Sequence, residues 1–210
     1  MSRLTENLEV ISERIRLDLA AQDAAREKAM PLSREVIRLA SHTIRAVHRH
    51  EYETARNSLA EARKMLTEAN KLLKSCIELP NTHFVWDAEK EFAEASITLS
   101  LVLGEKIPAP GELKVDNAAY LNGMAEGASE LRRYLLDSLR KGDYSRGEEL
   151  LGDMDDIYNV LVTMDFPDSI TGGLRRTTDA LRGVLEKTRS DLTLSAQQKR
   201  LEDRLDKLNS

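Results

Sequence analysis

The chain has 210 residues, 31 of them Lys or Arg and 36 Asp or Glu, giving a formal net charge of −5. Ten Gly, five Pro, five Tyr, three Phe and one Trp are too few for the turns and aromatic or β-branched runs of a sandwich or barrel. A hydrophobic share of 41% excludes a disordered chain, and no run of about 18 apolar residues is present to cross a membrane.

An Ala-, Leu-, Glu- and Arg-rich chain of this kind reads as all-α, a single domain over 1–210 built from about seven long helices. The first, 2–29, opens in the charged segment Met1-Ser2-Arg3-Leu4-Thr5-Glu6, which lacks the apolar core of a secretion signal. Pro31 starts the second, 31–50, because a missing N–H is harmless in a first turn. The third, 52–78, stops at Leu79-Pro80, and Asn81 or Thr82 can cap the fourth, 83–104. Cys76 is the sole cysteine. It excludes intrachain disulfides and Cys-based metal sites, reads as packing, and points to a reducing, cytoplasmic setting. Gly104, Pro108, Pro110 and Gly111 form a loop before the fifth helix, 115–141, which ends at Gly142 behind Arg140 and Lys141. The sixth spans 145–164. Phe166-Pro167-Asp168 and Thr171-Gly172-Gly173 bracket a turn before the seventh, 171–208.

The last helix carries the clearest buried stripe. Leu174, Leu181, Leu185 and Leu192 fall within about 40° of one another on a helical wheel. Leu201, Leu205 and Leu208 continue an apolar edge along a C-terminal extension, 195–210, toward another subunit or as a frayed tail. Arg175, Asp179, Arg182, Glu186 and Arg189 alternate in sign at helical spacing and read as a self-neutralising ladder, with Arg176 set off to one side.

The second helix has a different pattern. With Arg34 at 0°, Arg38, His42, Arg45 and Arg49 fall at about 40°, 80°, 20° and 60°, while Ile37, Ala40, Ile44 and Val47 occupy about 220–300°. One face is core and the other a cationic ridge about 22 Å long. Such a ridge can track nucleic-acid phosphates, with Arg giving bidentate contacts. The competing reading is a solvated face, or one paired with acids on a neighbouring helix. The overall acidity argues against a uniformly basic nucleic-acid binder, not against a local basic face.

Two acidic pairs complete the candidate chemistry. Glu91 and Glu94 lie beside the apolar set Phe84, Ala88, Phe92, Ala95, Leu99 and Val102. Glu126 and Glu130 lie at i and i+4 beside Tyr120, Leu131, Tyr134 and Leu135, with Gly123 and Gly127 on the same side to admit another helix or a substrate backbone. Carboxylates from two facing helices can hold a divalent ion in a bundle, and all-oxygen donors favour Mg²⁺ or Mn²⁺. In a chain with 36 acids, such spacing also arises by chance.

Several stretches resemble the translin family, most nearly its catalytic branch, the translin-associated factor X proteins. They are Leu32-Ser33-Arg34-Glu35 with Thr43-Ile44 and His48-Arg49; Lys90-Glu91-Phe92-Ala93-Glu94-Ala95; Tyr120-Leu121-Asn122-Gly123 with Ala128-Ser129-Glu130-Leu131; Gly142-Asp143-Tyr144-Ser145-Arg146; and Leu174-Arg175-Arg176 with Asp179-Ala180-Leu181. Together they span roughly residues 30–190. The resemblance implies a seven-helix all-α fold in closed homo-oligomers, hexamers or octamers, that bind single-stranded RNA and single-stranded DNA on the inner surface. In the catalytic branch it implies a Mg²⁺-dependent endoribonuclease whose catalytic and metal-binding carboxylates fall on Glu91, Glu94, Glu126 and Glu130. Glu126 stands where the family pattern has Asp, one methylene shorter. The non-catalytic branch, a nucleic-acid binder, lacks the full acidic set. The resemblance also favours Arg34, Arg38, His42, Arg45 and Arg49 as phosphate contacts.

Overall fold

A computed structural model of the protein describes residues 5–74 and 83–209. The expected caps Asn81 and Thr82, the end of the third helix at 78, Cys76 and the first four residues lie outside the described residues. Within them the chain is all-α, with eight helices and no strand. These are α1 (Leu8–His48), α2 (Tyr52–Lys74), α3 (His83–Leu103), α4 (Pro110–Leu113), α5 (Asn117–Arg140), α6 (Gly147–Leu161), α7 (Asp168–Thr171) and α8 (Leu174–Asn209). No helix among the described residues is long and apolar enough to cross a membrane.

The largest departure from expectation is α1. Pro31 does not start a helix; it lies inside one of 41 residues. The ring points to solvent, and the carbonyl of exposed Glu27, which loses its donor, can take one from water. On the opposite face Ala29, Ser33 and Val36 are fully buried, so packing holds the helix through the proline. The loop expected near Pro110 contains α4, and the turn near Pro167 contains α7. Gly172 and Gly173, at φ +61° and +84°, break the chain before α8, which starts at Leu174 rather than 171. The Asp116 side chain caps α5 by accepting from the N–H groups of Ala118 and Ala119 at 2.8 and 3.2 Å.

Helix α3 is the central element, packed against α1, α2 and α5. Every residue from Phe92 to Leu99 is buried, as expected of a helix enclosed on all sides. Above it, α5 packs on α6 and α8. The stripe Leu174, Leu181, Leu185 and Leu192 is buried as the wheel predicts. The charge ladder on α8 is not self-neutralising: Arg189 instead reaches Asp155 of α6 at 2.6 Å. The Gly142–Arg146 segment is structural. Asp143 accepts from the Ser145 N–H and hydroxyl at 3.0 and 2.7 Å, and Arg146 donates to the carbonyls of Leu101 and Val102, closing the C-terminal end of α3.

Candidate functional site

Two glycines bring the acidic helices together. A Cβ on Gly123 would stand 2.5 Å from the Lys90 carbonyl oxygen and 2.9 Å from the Glu94 nitrogen; one on Gly127 would stand 3.1 Å from the Glu94 carbonyl oxygen. Helix α3 itself therefore fills the space they open, not a substrate backbone. At this close crossing Glu91 and Glu94 of α3 meet Glu126 of α5, each offering a carboxylate oxygen within 4.8 Å of the others. Glu130 stands outside that set of three. Its Oε2 accepts from Nε2 of His48 at 2.6 Å, tying the end of α1 to the same place.

Burial decides the electrostatics. Glu94 sits in the enclosed part of α3 with 8% of its surface exposed. Loss of hydration, then repulsion from Glu91, Glu126 and Glu130, pushes its carboxyl up to about 8. Burial also raises Glu91, with Glu126 adding to the effect and Lys90 opposing it. Acids made costly to ionise by burial and by one another become favourable when a cation arrives. Oxygen donors at this spacing suit a hard divalent ion such as Mg²⁺ or Mn²⁺.

Two contributors escape the sequence reading. Lys90 Nζ lies 2.9 Å from Oε1 and 2.7 Å from Oε2 of Glu126, and 3.4 Å from Glu91 Oε1. Burial works against its charge, but hydrogen bonds and attraction to Glu126 and Glu91 prevail and hold the ammonium above its usual range. His48, next to the ridge residue Arg49, turns inward; its side chain is 3% exposed and its Nδ1 is buried without a partner among the described residues. Both signals were legible. Lys90 falls about 40° from Glu94 on the wheel, and His48 falls about 40° outside the ridge on its apolar side.

The ridge is less uniform than its spacing suggests. Arg38 is engaged by Glu35 of its own helix at 2.6 Å. His42 is half-buried, with Nδ1 2.9 Å from the Ser58 hydroxyl of α2. Arg34, Arg45 and Arg49 are exposed and make no ion pair among the described residues; Arg34 reaches only the Met30 sulfur. Arg45 and Arg49 lie at the same end of α1 as His48, which reaches Glu130, but they face solvent.

No family model matches the chain. Comparison with known proteins finds an uncharacterized protein of Methanocaldococcus jannaschii, 29% identical over 193 residues, covering 89% of this chain and 83% of the relative. Among solved structures, AfC3PO in complex with duplex RNA is 33% identical, with a TM-score of 0.79 over 89% of this chain and 96% of that one. A second structure of AfC3PO, a crystal structure, is 30% identical, with a TM-score of 0.78 over 89% of this chain and 97% of that one. At this identity and near-complete mutual coverage, the chain belongs to the C3PO/translin family.

Proposed function

We propose that the protein is a Mg²⁺-dependent endoribonuclease of the catalytic, translin-associated factor X-like branch, a single helical domain acting as a homo-oligomer. The observation that carries this reading is the convergence of Glu91, Glu94 and Glu126 where α3 crosses α5. A divalent ion held there would polarise a phosphodiester and activate water. Glu91, Glu94 and Glu126 would hold it, and Glu130, fixed by His48, stands next to them to orient the attacking water. Arg34, Arg45 and Arg49 would carry the phosphates of the strand, with Arg38 and His42 joining once they leave Glu35 and Ser58. AfC3PO, seen with duplex RNA, supports RNA as the ligand class; the family resemblance favours single strands as substrate.

The test is cleavage of labelled single-stranded and duplex RNA in Mg²⁺ and in EDTA. The expected result is Mg²⁺-dependent cleavage of the single strand, abolished in Glu91→Ala and in Glu126→Ala while RNA binding persists. Cleavage that survives EDTA or both substitutions rejects the assignment. The ridge is tested separately. Arg45→Glu with Arg49→Glu should weaken RNA binding and reduce the slope of log affinity against log salt by about two, roughly one per lost phosphate contact. An unchanged slope rejects the ridge as the phosphate track.

A further inference from the structure

We propose that Lys90 is a resident counter-ion of the carboxylate cluster, whose ammonium must be displaced before a divalent cation can bind. The proposal rests on reading Glu91, Glu94 and Glu126 as metal ligands and adds a component that gates them.

Three observations support it. Lys90 Nζ engages both oxygens of Glu126 and one of Glu91, two of the three carboxylates that converge. A cation held there uses the lone pairs a metal would need and repels any second cation entering the cluster. The pair is not a loose surface contact, because the Lys90 side chain is 18% exposed. Finally, the Lys90 backbone is clamped: its carbonyl oxygen lies 2.5 Å from where a Cβ on Gly123 would stand. The base of the side chain cannot withdraw with α3, so release depends on rotation of the flexible four-carbon stem, which suits Lys and would not suit a rigid guanidinium. The arrangement offsets the charges of Glu126 and Glu91 in the metal-free protein and sets a threshold that the ion must exceed.

Mn²⁺ binding followed by calorimetry, independent of any RNA cleavage, separates this from a plain structural salt bridge. Lys90→Met should bind Mn²⁺ at least about tenfold more tightly than wild type, equivalent to about 1.4 kcal/mol. In EDTA it should melt lower than wild type and recover more on adding Mn²⁺. Lys90→Gln, which keeps a neutral donor, serves if the Met variant folds poorly. In wild type, acetylation of Lys90 by an amine-reactive ester, read by mass spectrometry, should be slow in EDTA and rise at saturating Mn²⁺. Equal or weaker Mn²⁺ binding in both Lys90 variants, with binding lost in Glu94→Gln, overturns the gating role and leaves the metal site standing. Acetylation that ignores Mn²⁺ overturns it too. Absence of Mn²⁺ binding in wild type and variants alike overturns both the gate and the metal reading.

Discussion

Glu94 shows how far one enclosed carboxyl can shape the behaviour of the molecule. In the unfolded chain it loses its proton near 4.5, whereas in the folded protein it holds it to about 8. Between those values the native state binds a proton that the unfolded state has released, so stability falls as pH rises through the interval. Denaturant unfolding in EDTA at about pH 5 and about pH 8 should give the higher stability at the lower pH, and Glu94→Gln should flatten that difference. It should not remove it entirely, because burial also raises Glu91 and Glu89. An equal pH dependence in the variant rejects Glu94 as the main source. The same variant should gain stability near neutral pH while losing Mn²⁺ binding, the opposition expected if Glu94 is a metal ligand as proposed. The wheel put Glu94 at the margin of an apolar face. Its full enclosure was not legible, because a one-helix wheel cannot register that α1, α2 and α5 close round α3.

The α3–α5 crossing is where local sequence governs the site most directly. A Cβ on Gly123 would meet Lys90 and Glu94 backbone atoms at 2.5 and 2.9 Å, while one on Gly127 would have slightly more room at 3.1 Å. Gly123→Ala must push two backbones apart and should destabilise by about 1–3 kcal/mol, with Gly127→Ala costing less. Gly152 in α6 has nothing within 4 Å of an added Cβ; there the alanine should stabilise by roughly 0.5–1 kcal/mol through helix propensity alone. Urea midpoints of the three variants check the order, and a Gly123→Ala no worse than Gly127→Ala refutes the close-crossing account. Gly123→Ala should also weaken Mn²⁺ binding by spreading Glu94 from Glu126. The two glycines were visible in the sequence as a point of close approach; what approached was not, since facing helices share no local pattern. Pro31 failed for the opposite reason. The local rule was sound for a first turn, but burial of Ala29, Ser33 and Val36 outweighed it.

At the scale of the whole molecule, two helices run on past the core. In α1 the first 17 residues, Leu8 to Ala24, are almost all exposed, a projection of about 25 Å. Leu8, Ile11, Ile15 and Leu19, each at least 46% exposed, lie within about 80° on the face that becomes buried at Ala25, Ala29 and Ser33. At the other end Leu194, Leu201, Leu205 and Leu208 are at least 50% exposed and form a stripe about 60° wide on α8. The sequence disclosed the second overhang but not the first, because Pro31 made 2–29 look like a helix of its own. Aligned apolar seams of this length are costly in water, and a second copy of the chain supplies matching ones. The homo-oligomer proposed above therefore has a specific test. Leu201→Glu with Leu205→Glu, and separately Ile11→Glu with Ile15→Glu, alter side chains already exposed in the monomer, so helicity and melting of the isolated fold should hold. Light scattering after size exclusion should nevertheless report a lower molar mass than wild type for each pair. A mass unchanged in both pairs removes these helix ends from the assembly surface. A fall in one pair alone identifies which seam carries it.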